Sequence, residues 1–211
     1  MIFRRRPESP ACLTQTTRSW KKYGNVQNQV AWGLQYEEKR NDNTKSNDFK
    51  WASLNGTKVN LLIEDDLKDM TQNHCAFCDF FPLRQPGRTI EHFRPKSLFP
   101  RDSHLWSNLF YCCHSCQEKG EQFDKSLLKP DEEDYDFSRF FICRFDGDAI
   151  YLKPNPRATD QEQNSASITI DLYGLNRFER PEDRFRVWRQ FNDSNNPIID
   201  EFPYRFLFVN I

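Results

Sequence analysis

Several motifs that assign a chain to a common enzyme class are missing from this sequence. Only seven of its 211 residues are glycine, and they do not form the glycine-rich loop that cradles the phosphates of a nucleotide. Its serine, histidine and acidic residues do not follow the order of a hydrolytic triad, and the sequence has no internal repeat. We therefore expect a chain without nucleotide-hydrolysis machinery of its own.

Long apolar segments are also missing. The mean hydropathy is −0.86, and no segment is apolar for long enough to predict a transmembrane helix. The basic opening MIFRRRPESP is not followed by the apolar core of a secretory signal peptide. We therefore expect a cytoplasmic protein whose cysteines are reduced.

The sequence has no excess of positive charge. It contains 30 Lys and Arg against 31 Asp and Glu, a net charge of −1, which excludes a globally basic nucleic-acid binder. Any attraction of nucleic acid must then come from a local patch or from a partner. Nineteen Phe and five Trp nevertheless provide the apolar material of a core, unlike a disordered chain.

Four of the seven cysteines form two closely spaced pairs, Cys75/Cys78 and Cys113/Cys116. Thiolates separated by two residues can occupy adjacent corners of the tetrahedron around a zinc ion. A redox pair needs only one such motif, and a disulfide framework conflicts with the missing signal peptide. We predict a structural zinc held by all four. Zinc ribbons separate their pairs by roughly 15–20 residues, so the longer interval here indicates an inserted segment.

The other three cysteines are predicted to lie outside the zinc site. Cys112 is an alternative ligand because it directly precedes Cys113, but the CxxC spacing favours Cys113. Cys12 and Cys143 are isolated in the sequence, and we expect them to be small buried apolar residues.

The segment between the two pairs contains groups suited to hydrolysis. TIEHF at residues 89–93 has strand preference and is closed by Pro95. Glu91 offers a hard oxygen ligand for Mg²⁺ or Mn²⁺, His92 can accept a proton from water, and Asn108 can hold an imidazole in one tautomer. Adjacent strand residues point to opposite faces. Glu91 and His92 therefore serve one phosphate only if the strand twists or ends there.

Along the chain we predict three regions. Residues 1–54 form an arm with a helix at 26–39, residues 55–130 form the zinc-stapled core, and residues 131–211 form an extension. The basic opening Arg4–Arg6 fits a solvated tail, a phosphate contact or a partner-docking arm.

The spacing of apolar residues predicts the main elements. Residues 57–73 form a helix capped by Thr57 or Asn55. Further along the chain we expect a helix at 115–123 and a hairpin turning at Asp146-Gly147. A helical part follows from about Ser165, and another helix begins at Pro181, with Phe185, Trp188 and Phe191 as apolar positions. The apolar tail FPYRFLFVNI returns to the core or meets a partner.

Together, the segments CAFC, IEHFRPKS, WSNL and CHSCQEKG resemble the zinc-containing HNH endonucleases. Within that superfamily, IEHFRPKS followed by W-x-NL is similar to the PtuB-type nucleases, with a weaker likeness in ITIDLYGLN. The resemblance spans residues 60–145 of this sequence. It implies an α+β fold with a ββα-metal core and structural zinc, surrounded by helices and a C-terminal β-hairpin plus helical segment.

The resemblance also implies roles for individual residues. Glu91 would bind the catalytic divalent ion, His92 would be the general base that activates water against a phosphodiester, and Asn108 would orient the imidazole and the loop. The family usually places Asn or His directly after the last zinc cysteine, as the second ligand of the catalytic ion. This chain has Gln117, whose extra methylene changes the geometry. The residues that can compensate are His114, His104 and Asp102.

The same resemblance implies substrate contacts and partners. Arg94, Lys96 and Lys119 adjoin the predicted site and are candidates to neutralise backbone phosphates, the alternative being ordinary solvated charge. PtuB-type nucleases act beside a PtuA-like ATPase in bacterial Septu and retron antiphage systems, in some systems with a retron reverse transcriptase and its DNA. The rival interpretation is a non-catalytic zinc module that binds nucleic acid or protein.

Overall fold

Short helices and three two-stranded sheets make up the α+β fold of the computed structural model, which describes residues 5–16, 18–42, 48–84 and 87–208. The chain forms two units. The histidine unit comprises residues 6–70 and 90–110, and the cysteine unit comprises residues 1–5, 71–89 and 111–211. Neither unit is a continuous stretch of sequence.

The histidine unit is built from helices and one small hairpin. Its core contains Leu13, Ala31 and Val59, which are fully buried. In chain order its elements are α1 (Ala11–Thr14), a 3₁₀ turn (Arg18–Tyr23), α2 (Asn28–Asn41), β1 (Ser53–Leu54), β2 (Thr57–Lys58), α3 (Val59–Leu62), α4 (Glu64–Thr71), and 3₁₀ turns at Pro100–Asp102 and Trp106–Asn108. The helix expected at residues 26–39 is confirmed as α2.

The single helix predicted at residues 57–73 was wrong in its first part. Residues 57–58 form β2, which pairs with β1 across Asn55 and Gly56. Both turn residues have positive φ, 51° and 84°, as the Asn-Gly pair of a tight hairpin requires. The helical part begins only at Val59, with Lys58 at its N-cap, so neither predicted cap serves it.

One glycine lets α2 approach the loop that follows β3 (Arg88–His92). A Cβ at Gly33 would collide with the backbone carbonyl of Arg101. Since the colliding atom is backbone, no side-chain rotation can relieve the collision. The close packing of α2 on the 3₁₀ turn at residues 100–102 therefore depends on Gly33.

Strands β3 and β4 (Leu109–Cys113) form a two-stranded sheet followed directly by α5 (His114–Gln117). Hydrogen bonds flank the sheet at both ends, from Phe93 N to Asn108 O and from His114 N to Gly87 O, each 2.9 Å. This pattern makes the pair antiparallel. The strand predicted at TIEHF is confirmed, whereas the helix predicted at residues 115–123 is a single turn that ends at Gln117.

The rest of the cysteine unit is a hairpin packed on helices. Its elements are α6 (Phe137–Phe140), β5 (Phe141–Asp146), β6 (Ala149–Pro154), α7 (Asp160–Leu172) and α8 (Arg180–Asn192). The hairpin is confirmed, but its turn residues are Gly147 and Asp148, because Asp146 still pairs with Ala149. Gly147 supplies the positive φ of 56° that the turn needs.

Two helix boundaries show how far sequence signals reach. Pro181 lies in the first turn of α8, as predicted. Helix α7 begins at Asp160 instead of Ser165, because Thr159 and Glu162 form a reciprocal capping box there. On α8 the most buried residues are Pro181, Arg184 and Val187. The expected apolar positions Phe185, Trp188 and Phe191 are half-buried and make contacts with aromatic rings.

The apolar tail returns to the core of the cysteine unit. Residues 204–208 are buried, and Arg205–Leu207 form a 3₁₀ turn. The last three residues lie outside the described part of the chain. None of the described helices has the length and apolar character needed to cross a membrane.

Candidate functional site

The four paired cysteines converge in the cysteine unit. The sulfur atoms of Cys75, Cys78, Cys113 and Cys116 all lie within 4.8 Å of one another. The Sγ atoms of Cys78 and Cys113 are 3.6 Å apart, close to the ~3.8 Å edge of a tetrahedron with Zn–S bonds of about 2.3 Å. The cluster can therefore hold a metal such as zinc. Cys112 takes no part in it.

Backbone hydrogen bonds shape the first cysteine pair into a tight loop. The N–H of Asp79 donates to the carbonyl of Cys75, and the N–H of Cys75 donates to the carbonyl of Phe80, each at 2.9 Å. The N–H of Ala76 donates to Tyr111 of β4, also at 2.9 Å. Cys113 ends β4 and Cys116 lies in α5. The second pair thus sits at a strand-to-helix junction.

The pKa values of the clustered thiols are shifted by burial and by their neighbours. Hydrogen bonds from the neighbouring thiols, chiefly Cys113, lower the pKa of Cys78 well below its ordinary value. Burial raises the pKa of Cys116. Metal ligands of this kind bind as thiolates, so a bound cation would favour the ionised form of all four cysteines.

An arginine meets the sulfur atoms from α8. Nη2 of Arg180 lies 3.5 Å from Sγ of Cys116 and 3.9 Å from Sγ of Cys113. Burial by itself lowers the pKa of Arg180, but the negative charge of the cysteines raises it above the ordinary value. Arg180 remains a cation at the edge of the cluster.

A groove of about 580 Å³ reaches the cluster within the cysteine unit. Cys78 and Cys113 line it, and its remaining lining carries three carboxylates. Arg180 also lines the groove, so charges of both signs lie beside the sulfur atoms. The acidic residues are Glu118, Glu179 and Asp183, and the exposed His114 also lines the groove.

In the histidine unit, His92 is held by one carbonyl and two aromatic rings. Its Nε2 lies 2.9 Å from the carbonyl oxygen of Ser103. Because a carbonyl only accepts, the proton of the neutral imidazole is on Nε2, and Nδ1 is the basic nitrogen. Trp51 stacks on the ring at 5.3 Å, and Phe49 meets it edge-on at 5.2 Å. The side chain is only 5% exposed.

Asn108 fixes the loop between β3 and β4. Its Oδ1 accepts the N–H of Arg94 at 2.8 Å, and its Nδ2 donates to the carbonyls of Arg94 and Asp102, both at 3.0 Å. Ser103, which follows Asp102, provides the carbonyl for His92. The hydrogen bonds place Asn108 on the loop and relate it to the imidazole through Ser103.

His104 is buried beside the same aromatic rings. Its Nε2 accepts the N–H of Ala52 at 3.2 Å, so its proton lies on Nδ1, 3.0 Å from Oγ of Ser103. Burial lowers the pKa of His104 to about 4. Because both ring nitrogens are engaged, the expectation that His104 compensates as a metal ligand is not supported by this geometry.

The remaining predicted site residues occupy different environments. Glu91 is buried in the histidine unit, next to His92 at the end of β3. Gln117 is half-buried and ends α5 in the cysteine unit. Arg94 pairs with Asp102 at 2.8 Å, and the ammonium of Lys96 lies 5.2 Å from the ring of Phe49. The roles assigned to these residues stay predictions.

Lys119 is placed differently from the expectation of a phosphate contact. The side chain is 2% exposed, and Nζ donates to the carbonyl of Gln122 at 3.2 Å. A phosphate contact would require the ammonium to leave this position. Cys12 and Cys143, expected to be buried, are both half-buried.

Comparison with known proteins adds no relative. No protein-family model matches this chain, and no curated protein is significantly similar to it.

Sequence reasoning missed several residues around both sites. The rings of Phe49 and Trp51 follow a polar stretch that gave no sign of a histidine cage. Arg180 precedes the recognised helix-starting Pro181, but no motif relates an arginine here to the cysteines. Arg205 lies in the apolar tail and pairs with Asp79. The only signal available was that a charged residue in an apolar segment usually has a partner.

Proposed function

We propose that this protein is a metal-dependent endonuclease of the HNH type, which hydrolyses phosphodiester bonds in DNA or RNA. The observation that carries the proposal is the arrangement of His92, whose protonated Nε2 faces Ser103 and whose Nδ1 is the basic nitrogen. The order of β3, β4 and α5, with a cysteine pair on each side of β3, supports a ββα-metal core with structural zinc.

The residues of the histidine unit would provide the base and its support. His92 removes a proton from water, and the resulting hydroxide attacks phosphorus. The P–O bond to the leaving sugar oxygen breaks, and that oxygen takes up a proton from solvent. Asn108 holds the loop whose Ser103 carbonyl keeps the imidazole in one tautomer. Glu91 is the residue of this unit that would hold a divalent ion, Mg²⁺ or Mn²⁺, by its oxygen donors. When bound, such an ion neutralises charge that develops on the phosphate and the leaving oxygen.

One observation favours the rival function, a zinc module that binds without catalysis. His92 is nearly inaccessible, and Lys119 is buried. A general base must reach the water that it deprotonates. The nuclease proposal therefore requires the aromatic cover of Phe49 and Trp51 to move when substrate binds.

Replacing His92 separates the two functions. His92→Gln keeps a side-chain amide to donate to Ser103 but removes the base, so cleavage of plasmid DNA or total tRNA should fall about 100-fold or more. Cleavage is measured with Mg²⁺, Mn²⁺, Zn²⁺ or Ca²⁺ added, and the zinc content should be unchanged. His104→Gln is the matched control, because it alters the neighbouring buried histidine without touching the proposed base.

The opposite result would support the binding module. In that case wild-type protein, alone or with a PtuA-like ATPase, cleaves neither substrate with any ion, or both glutamine variants lose cleavage only in proportion to their folded fraction. Gln117→Asn tests the second metal position. It restores the family's usual residue and should preserve or raise cleavage, with an altered dependence on the ion concentration.

The resemblance further supports a role as the effector of a bacterial antiphage complex with a PtuA-like ATPase, in some systems with a retron reverse transcriptase and its DNA. A nearly neutral nuclease benefits from a partner that recruits substrate, because its own long-range attraction for nucleic acid is weak. Co-expression of the chain with a PtuA-like ATPase should give a stable complex on size exclusion. A chain that stays monomeric and cleaves fully by itself would contradict this.

Point substitutions can locate the partner interface better than truncations. Nη1 of Arg6 donates to the carbonyl of Trp106 at 2.7 Å, so the predicted basic arm is anchored at this residue. Arg4 lies outside the described residues. Deleting residues 203–211 would remove buried core. Phe145→Ser and Phe178→Ser change side chains that are 50% and 66% exposed, and either can report loss of the complex without unfolding the chain.

A further inference from the structure

Four thiolates around a divalent ion carry a net charge of −2, and this charge would lie in a buried place. Three of the four cysteines of the cluster are almost fully buried, and Cys113 is 8% exposed. A buried charge is costly unless it is hydrogen-bonded or compensated. A metal site of this composition therefore needs positive groups close to its sulfur atoms.

Arg180 is placed to provide one such group. Its Nη2 faces the sulfur atoms of the second cysteine pair, at 3.5 Å from Cys116 and 3.9 Å from Cys113. The other end of the guanidinium is fixed, since Nη1 donates to the carbonyls of Tyr173 at 2.8 Å and Gly174 at 2.9 Å. The planar group is thus held by neutral oxygens on one side and left to donate to sulfur on the other.

Arg184 lies one helical turn further along α8 and is fully buried. Its donors meet only neutral oxygens, the carbonyls of Ile150 and Leu175 and Oδ1 of Asn176. No ion pair with a carboxylate involves Arg184 in the described part of the chain. A buried arginine without a carboxylate partner is unusual. Here the guanidinium carbon lies 5.7 Å from the centre of the Tyr204 ring, so Arg184 is surrounded by neutral oxygens and an aromatic ring.

Among the described residues, the carboxylates that line the groove do not pair with Arg184. Asp183 lines the groove beside the cluster, but its Oδ2 accepts the hydroxyl of Tyr204 at 2.7 Å and its Oδ1 pairs with Arg186. Glu118 and Glu179 also line the groove and add negative charge, which increases the need for compensation.

We propose that Arg180 of α8 supplies counter-charge to the metal–thiolate cluster by donating N–H···S hydrogen bonds to Cys116 and Cys113. The inference rests on the cluster holding a zinc ion, and it does not depend on nuclease activity. Partners of this kind orient the ligands and commonly change metal affinity by about 10–100-fold. Arg180 is therefore a positioning residue that retains the metal.

Zinc release from the full chain tests this role without reference to cleavage. Zinc-loaded wild type, Arg180→Met and Arg180→Lys are mixed with a chromophoric chelator, and the release rate is followed by absorbance. Arg180→Met should release zinc about 10–100-fold faster. Arg180→Lys keeps the charge but loses the fork that reaches both sulfur and carbonyls, so an intermediate rate is expected. Arg189→Met changes an exposed arginine of the same helix and should behave as wild type.

Cobalt substitution provides a second measurement, which can be made on the folded protein even if a variant is partly destabilised. The sulfur-to-Co²⁺ charge-transfer band should shift in Arg180→Lys because the N–H···S contacts change. Wild-type release rates and an unshifted band in folded Arg180 variants would overturn the proposal. It would also fall if the folded wild-type chain bound neither zinc nor cobalt. Absence of DNA or RNA cleavage, in contrast, would overturn only the nuclease proposal and leave the release rates interpretable.

Discussion

The carboxylate of Asp79 accepts three hydrogen bonds from Arg205. Oδ2 accepts the backbone N–H at 2.7 Å and Nε at 3.1 Å, and Oδ1 accepts Nη2 at 2.6 Å. Both side chains are almost fully buried. Since Asp79 directly follows Cys78, this ion pair joins the buried C-terminal segment to the loop of the first cysteine pair.

Removing Asp79 should therefore destabilise the chain strongly. Asp79→Ala leaves the buried Arg205 with only the carboxylate of Asp200 and the amide of Gln72. Breaking one partner of a buried pair costs about 3–5 kcal/mol, and we expect about 3 kcal/mol in urea unfolding because Asp200 compensates in part.

The matched control is an exposed ion pair. Lys22 and Glu38 are 2.7 Å apart with side chains 65% and 50% exposed, so Glu38→Ala should cost less than about 1 kcal/mol. Equal losses in the two variants would show that the Asp79–Arg205 pair adds no special stability.

Gly33→Ala should destabilise the histidine unit although alanine is the better helix former. Propensity alone favours alanine by about 1 kcal/mol. The added Cβ meets the carbonyl of Arg101, and such overpacking costs about 1–3 kcal/mol or more. We expect a net loss of about 1 kcal/mol in chemical unfolding.

Gln35→Ala serves as the comparison, because Gln35 is exposed on the same helix. It should change stability by no more than about 0.5 kcal/mol. A stabilised Gly33→Ala variant would mean that α2 and the 100–102 turn separate at little cost.

Stability should fall in acid because of His104. Burial lowers its pKa to about 4 in the folded chain, whereas the unfolded value is about 6.5. Between these values the unfolded chain binds the proton and the folded chain does not. The free energy of unfolding therefore falls as the pH decreases from 6.5 to 4, by up to about 3 kcal/mol, and is unaffected by this group above pH 7.

Unfolding measured across that range checks the sign and the source. His104→Gln should flatten the slope, whereas His114→Gln, at an exposed position, should leave it as in wild type. If the dependence of the unfolding free energy on pH is unchanged in His104→Gln, other groups cause the acid sensitivity, and His74 and the cysteine cluster are the next candidates.

Loss of one cysteine of the four-cysteine cluster should remove the metal. Cys116→Ser takes one corner from the cluster and should abolish the one zinc per chain, with loss of the native circular dichroism of the core. Cys112→Ser changes a buried cysteine in the same run that lies outside the cluster, and it should keep the zinc. Metal content by atomic absorption distinguishes the two variants. Retained zinc in Cys116→Ser would disprove the four-cysteine zinc site.

Sequence reasoning located the features that depend on local spacing. The cysteine pairs, the strand at TIEHF, the hairpin and the helix beginning at Pro181 follow from short-range rules of ligand spacing, β-propensity and proline geometry. The Asn55-Gly56 pair also predicts a hairpin, but the helical spacing of apolar residues from Val59 onwards led to the prediction of a helix there instead.

What sequence could not provide were contacts between distant segments. Arg180 reaches sulfur atoms 64 and 67 residues away. The cage of His92 comes from Phe49 and Trp51, and no local pattern relates these rings to that histidine. Such partners are chosen by tertiary packing, which single-sequence periodicity does not encode.

The Asp79–Arg205 pair also has a consequence for the order of events during synthesis. The two residues are separated by 126 positions. At a translation rate of roughly 5–20 residues per second, Asp79 is added to the chain about 6–25 s before Arg205. All four cysteines of the cluster are therefore synthesised before the segment that covers their first loop.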